Sequence, residues 1–259
     1  MGVLVCMKRC GMKKCVLTVI LCFALAMCFA ACGEKDPEDI ESEFLDMISQ
    51  PASDESIEEI GEFLDKNLKN VASERADELL NQYDEYIYNY DNSYMKYSEF
   101  LDRYGSYMTF GLKQLFEIAM QEQEEPIAEN AELSVSWSDL CSRALTVENY
   151  ITENKDYELV KDQAEWYYEY YINAILMGTT STPLLDYETG QMSEEAKAAY
   201  VEFCQDAPDT VTAWAINEYF TYLDSIGFTL DYKDATESKV YFDTCTYIVS
   251  EAGTKVFQE

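Results

Sequence analysis

Histidine is absent from all 259 residues of this chain. That gap removes Ser-His and Cys-His nucleophile pairs and every His-ligated zinc site, so any chemistry must come from carboxylates, tyrosine, lysine or thiols. Glycine and proline are scarce, at 10 and 5 residues, and fall between apolar runs: Gly105, Pro126, Gly178 with Pro183, Pro208, Gly227. No sustained period-two run separates these breaks, which argues against a parallel α/β sheet. Walker, GxGxxG, GxSxG and CxxC motifs are missing, and "DYETGQMSEE" (186–195) lacks the spacing of an EF-hand loop. No cofactor and no metal site is expected.

Positive charge is equally short. Against 50 Asp and Glu stand 18 Lys and Arg, four of them (Lys8, Arg9, Lys13, Lys14) within the first 31 residues. Nucleic acid is excluded as a partner because its phosphates would be repelled. Any charge-driven partner should be cationic.

The N-terminus has secretory grammar: a basic segment, an apolar run from Val16 to Phe29, then "FAAC" at 29–32. This ending resembles the lipobox of bacterial lipoproteins. The resemblance implies cleavage after Ala31 and a diacylglyceryl thioether on Cys32. Residues 1–31 would then be a signal peptide, and the protein would sit on the extracytoplasmic face of the membrane of a Gram-positive cell. Two acyl chains give on the order of 20 kcal/mol of membrane affinity, at about 0.8 kcal/mol per buried methylene. Residues 32–53 read as the lipidated cysteine and an acidic tether with one short helical patch near 40–48. Residues 54–259 read as a single helical domain. Past Cys32 only Cys141, Cys204 and Cys245 remain, an odd trio among apolar neighbours that suits buried thiols better than a disulfide framework.

From Asp54 onward apolar residues recur at spacings of three and four, as in Ile57, Ile60, Phe63, Leu64 and Leu68. "FLDKN" (63–67), "FLDRY" (100–104), "YITEN" (150–154) and "FCQDA" (203–207) each close a helix, and another opens shortly after. Glu165-Trp166-Tyr167 and Glu218-Tyr219-Phe220 occupy matching places, and Pro208-Asp209-Thr210 starts a helix. This pattern resembles the hairpins of tetratricopeptide-like lipoproteins, with uneven spacing. The expected fold is all-α: irregular stacked helical hairpins, as a tetratricopeptide-like solenoid or bundle, with a last helix near 233–251. Sheet is limited to at most a small β-hairpin near 184–192.

Tyr83, Tyr90, Tyr97 and Tyr104 recur every seventh residue. The a, d and e positions they define are apolar or aromatic except Ser93, a stripe made for packing, though "YDNS" at 90–93 is turn chemistry that should split it. These four tyrosines are therefore either core or the wall of a binding groove. Asp186 and Tyr187, in the long segment 178–193, are further candidates for a binding surface.

Together these features favour a non-enzymatic, lipid-anchored scaffold or binding protein that recognises a protein, peptide or cell-wall polymer. One rival is a carboxylate-dependent enzyme acting on wall glycans, which needs an acid with raised pKa in an apolar cleft. The other is a small-ligand capture lipoprotein, which needs a closed apolar pocket. The anchoring expectation is directly testable. Cys32→Ala should release the chain from membranes or leave it unprocessed, and mass spectrometry finding Met1 intact on the wild-type cellular protein would contradict it.

Overall fold

The computed structural model describes residues 35–91 and 95–258; Cys32, the leader and the second half of the expected turn at 90–93 lie outside them. Among the described residues 71% are helical, in stacked helical hairpins, and no helix is long and apolar enough to cross a membrane. The chain forms two compact units, one ending at Ala72 and one beginning at Ser73.

In the first unit, α1 (Pro37–Ile48) packs on α2 (Asp54–Asn67), which runs into a 3-10 turn at Leu68–Asn70. The segment read as an acidic tether thus carries three turns of helix with Ile40 and Phe44 wholly buried. Local chemistry accounts for it. Asp36 accepts the Glu38 N–H at 3.1 Å, Pro37 takes the first helical position, and Ile40 and Phe44 lie four apart on one face. Ser53 and Ser56 open α2 with a reciprocal capping box.

The second unit comprises α3 (Ser73–Tyr90), α4 (Tyr97–Tyr104), α5 (Phe110–Glu124), α6 (Trp137–Glu153), α7 (Lys161–Met177), α8 (Glu194–Asp206), α9 (Val211–Ser225) and α10 (Ala235–Val256). The helix pairs α4/α5, α6/α7 and α9/α10 pack side by side, α8 lies on α6, and α10 also covers α7. The helix ends fall where the sequence places them, Asn67, Tyr104, Glu153 and Asp206 closing four of them.

The two-stranded ladder stands elsewhere than expected. Strands β1 (Ala128–Glu129) and β2 (Glu132–Leu133) pair antiparallel across Asn130-Ala131, both with positive φ (50° and 66°), the turn that matches strand twist. Among the described residues, 184–192 makes one bridge outward, from Gln191 to Thr229, and holds one bridge within itself, Leu185 to Met192. Two contacts stop it from lengthening. Asp186 Oδ1 accepts the N–H groups of Glu188 and Thr189, at 3.0 and 2.7 Å. Gly190, at φ +70°, accepts the Leu230 N–H at 3.0 Å and lies so close that a Cβ would meet the Leu230 carbonyl oxygen at 2.0 Å.

Several buried polar groups in this unit serve helix termini. The last four carbonyls of α7 are all satisfied: Ala174 by the Gly178 N–H (2.8 Å), Ile175 by the Tyr200 hydroxyl (2.6 Å), Leu176 by the Tyr241 hydroxyl (3.2 Å) and Met177 by the Leu184 N–H (3.0 Å). At the start of α9, Glu148 of α6 accepts from the N–H groups of Val211 (2.6 Å) and Thr212 (2.9 Å), from the Thr212 hydroxyl (2.7 Å) and from the Tyr168 hydroxyl (3.4 Å). Asp77 of α3 does the same before α5. It accepts from the Thr109 N–H (2.9 Å), the Thr109 hydroxyl (2.5 Å) and the Tyr157 hydroxyl (2.6 Å). An anion at a helix start meets free N–H groups and the positive end of the helix dipole.

Glu148→Ala strands these donors in the core and should cost about 3–5 kcal/mol of unfolding free energy. Denaturant melts of Glu148→Ala and of the surface control Glu62→Ala would measure this, the control staying near wild type.

Candidate functional site

An aromatic-walled cleft of the second unit, about 670 Å³, lies between the C-terminal half of α3, the start of α4, the end of α5 and the start of α7. Its volume suits a small organic ligand or one or two side chains. Helical spacing builds each wall. Asn81, Asp84, Glu85 and Tyr88 form one face of α3, and Asp162, Trp166 and Tyr167 follow the 3-10 turn that carries Glu158 and Leu159. Tyr97 enters at the first residue of α4, set by Gln123 of α5: the Tyr97 N–H donates to the Gln123 side-chain oxygen (2.9 Å), and the Gln123 amide donates to the Met95 carbonyl (2.8 Å).

Two exposed rings mark the rim. Trp166 is 57% exposed, with its indole stacked on Tyr170 at 5.3 Å and 8° between planes, and Tyr88 is 62% exposed. The interior is acidic. Asp84, Glu85, Glu122, Glu158 and Asp162 contribute to the lining, and no Lys or Arg does so among the described residues. Glu122 is held from behind by the N–H of Ile127 (3.0 Å), Arg143 (3.2 Å) and the Tyr171 hydroxyl (3.0 Å). Glu158 faces Lys161 at 3.8 Å.

Asp84 is only 6% exposed, and its hydrogen bond among the described residues is a long one, from the Tyr97 hydroxyl at 3.5 Å. Burial, and then the neighbouring Glu85, raise its carboxyl to about 7. Because the folded state binds this proton more tightly than the unfolded chain, its stabilising effect is complete in acid and is lost as pH rises toward 7. Burial first, and then Asp84, push the Tyr97 phenol above its ordinary range; Tyr167 is raised by burial, then by Glu122 and Asp84. Burial pushes the Cys141 and Cys245 thiols up to about 12, which makes them poor nucleophiles. Among the described residues no group of three His, Cys, Asp or Glu could hold a metal ion.

The tyrosine column is divided by the break between α3 and α4. Tyr83 and Tyr104 are core, 3% and 1% exposed, in an aromatic cluster with Phe100 (Tyr83 to Phe100 6.0 Å, Phe100 to Tyr104 4.9 Å). Tyr97 lines the cleft and also packs edge-on against Phe116 at 5.5 Å. Tyr90, 42% exposed, ends α3 outside the cleft lining. Asp186 and Tyr187 stand apart from this cleft. The backbone and hydroxyl hydrogen bonds from Thr189 hold the Asp186 carboxyl below its ordinary range, and Tyr187 stacks edge-on with Tyr232 at 5.0 Å beside a pocket of about 190 Å³. Sequence reasoning followed the seven-residue column and passed over Asp84, Tyr88 and Trp166, which lie off it. No local signal marks them: Asp84 shares the buried face of α3 with Leu80 and Ile87, and Tyr88 and Trp166 are exposed rings on helix surfaces.

Comparison with protein-family models, with curated protein sequences and with solved structures finds no match.

The division of the column sets opposite demands on two variants. Tyr83→Ala should cost about 3–5 kcal/mol as a large-to-small core change, whereas Tyr90→Ala should change stability by less than about 1 kcal/mol. Chemical denaturation of both variants checks this.

Proposed function

We propose that the chain is a lipid-anchored extracytoplasmic binding protein that recognises a cationic segment of a protein, peptide or wall polymer. Its stacked hairpins serve as a tetratricopeptide-like scaffold around the cleft. The supporting observation is the composition of that cleft: aromatic faces from Tyr88, Tyr97 and Trp166 around carboxylates, with no described basic side chain lining it. Ring faces attract cations through their quadrupole, and carboxylates add direct Coulomb attraction inside a partly desolvated space. The lipid anchor rests on the lipobox resemblance at Cys32. The strong negative charge of the body adds steering toward cationic partners.

A second reading is favoured by one observation. Asp84 is an acid raised to about 7 in an aromatic cleft, the property a general acid on wall glycans needs. Against hydrolysis stands Glu122. Both of its oxygens are engaged by Ile127, Arg143 and Tyr171, so it is poorly placed to activate water. Release of soluble glycan from cell walls by the wild type, lost in Asp84→Asn, would favour the enzyme.

The binding reading is tested by titrating tetralysine and tetraglutamate into the full-length chain in neutral detergent by isothermal calorimetry. Tetralysine should bind, with affinity falling as salt is raised, and Trp166→Ala should weaken it roughly tenfold. Equal binding of both peptides, or of neither, would contradict it.

A further inference from the structure

The buried acids Asp77, Asp84 and Glu148 of the second unit and the half-buried Glu122 divide into two kinds. Asp77 and Glu148 each collect at least three hydrogen-bond donors from helix starts and tyrosines, and Glu122 collects three, including Arg143. Asp84 is just as buried and faces open volume instead. Its Oδ1 lies 3.5 Å from the Tyr97 hydroxyl, and the carboxyl lines the open cleft.

The groups around Asp84 supply no counter-charge. On its own helix lies Glu85; across the cleft are Tyr97 of α4, Glu122 of α5, and Glu158, Asp162 and Tyr167 from the turn and α7. Arg143 is engaged with Glu122 and does not line this cleft. A buried carboxyl in such surroundings stays neutral by keeping a proton, or ionises when a cation arrives.

Resting on the reading of the cleft as a cation site, we infer that Asp84 anchors a primary ammonium group, as on a lysine side chain, and that binding expels the proton the carboxyl otherwise carries. The exchange balances. The Asp84 O–H bond breaks, its proton passes to solvent, and the resulting carboxylate accepts N–H donors from an ammonium that keeps all three of its hydrogens. With the carboxyl raised to about 7, a proton is present to be expelled near neutrality. A lysine ammonium, titrating near 10.4, does not change its own protonation there. The ligand class follows from what the site offers. Carboxylate oxygens need N–H donors, which a quaternary ammonium lacks, and the rings of Tyr88 and Trp166 at the rim suit an aliphatic stem.

Calorimetry of the binding of tetralysine, acetylated at its N-terminus and amidated at its C-terminus so that only side-chain ammonium groups remain, to the full-length chain in neutral detergent, in buffers of different ionisation enthalpy, counts the protons. The expected release is roughly three-quarters of a proton at pH 6.5, falling toward zero at pH 8.5, with affinity rising several-fold across that range. Trimethylated tetralysine, which keeps the charge but loses the N–H donors, should bind at least roughly tenfold more weakly, and Asp84→Asn should release no proton. The first two measurements need no variant, and circular dichroism melting checks that Asp84→Asn is folded. Tetralysine binding without proton release, or equal binding of the trimethylated peptide, would overturn the Asp84 anchor while leaving the cleft a cation site. No binding of tetralysine would overturn both.

Discussion

Two buried carboxylates hold the second unit together at the places where helices begin. Asp77 near the start of α3 and Glu148 within α6 each reach a threonine at the start of a later helix, taking both its N–H and its hydroxyl; a tyrosine hydroxyl completes each set. The threonine lies 32 residues from Asp77 and 64 from Glu148, so these contacts are tertiary. An ionised side chain taken out of water is tolerable when such donors replace its hydration. The same contacts orient α5 and α9, on which the neighbouring helices pack. An acidic chain can therefore build a core without many basic partners, because helix starts and phenols take the place of lysine and arginine.

Against this background the cleft is an exception. Its walls belong to the elements that Asp77 positions: α3 carries both Asp77 and Asp84, and Tyr157, which donates to Asp77, immediately precedes the turn that supplies Glu158 to the cleft. Seven residues along α3 from Asp77, Asp84 meets one weak donor where its counterpart meets three. Locally incomplete solvation of a buried acid beside exposed aromatic rings is a feature of sites that await a ligand or a proton.

Most of the fold was legible because its determinants are local. Three-and-four spacing, Gly and Pro at breaks, and N-caps fix where helices begin and end; Ser193 and Thr210 accept the N–H groups of Ala196 and Ala213. The ladder at 128–133 was missed because it turns on Asn-Ala, with Ala131 in the positive-φ region that alanine seldom enters. The helix over Pro37–Ile48 was underestimated because its acidic composition masked the Ile40–Phe44 pair. The column of tyrosines was legible as a pattern but not in its outcome. Heptad phase is kept only within one helix, and the break after Tyr90 sends Tyr97 toward the cleft while Tyr83 and Tyr104 meet in the core. The cleft itself depends on which helices meet across 26 to 80 residues, as in the contacts of Gln123 with Tyr97 and of Tyr157 with Asp77. No local rule carries that information.

The central claim is that Asp84 is a buried acid whose solvation the fold leaves unfinished. It is tested most directly by observing that carboxyl itself, through ¹³C-detected NMR of side-chain carboxyl carbons titrated from pH 3 to pH 9, with Asp84→Asn used to assign the resonance. The account predicts a midpoint near 7 for Asp84. A midpoint near the ordinary aspartate value of about 4 would contradict it.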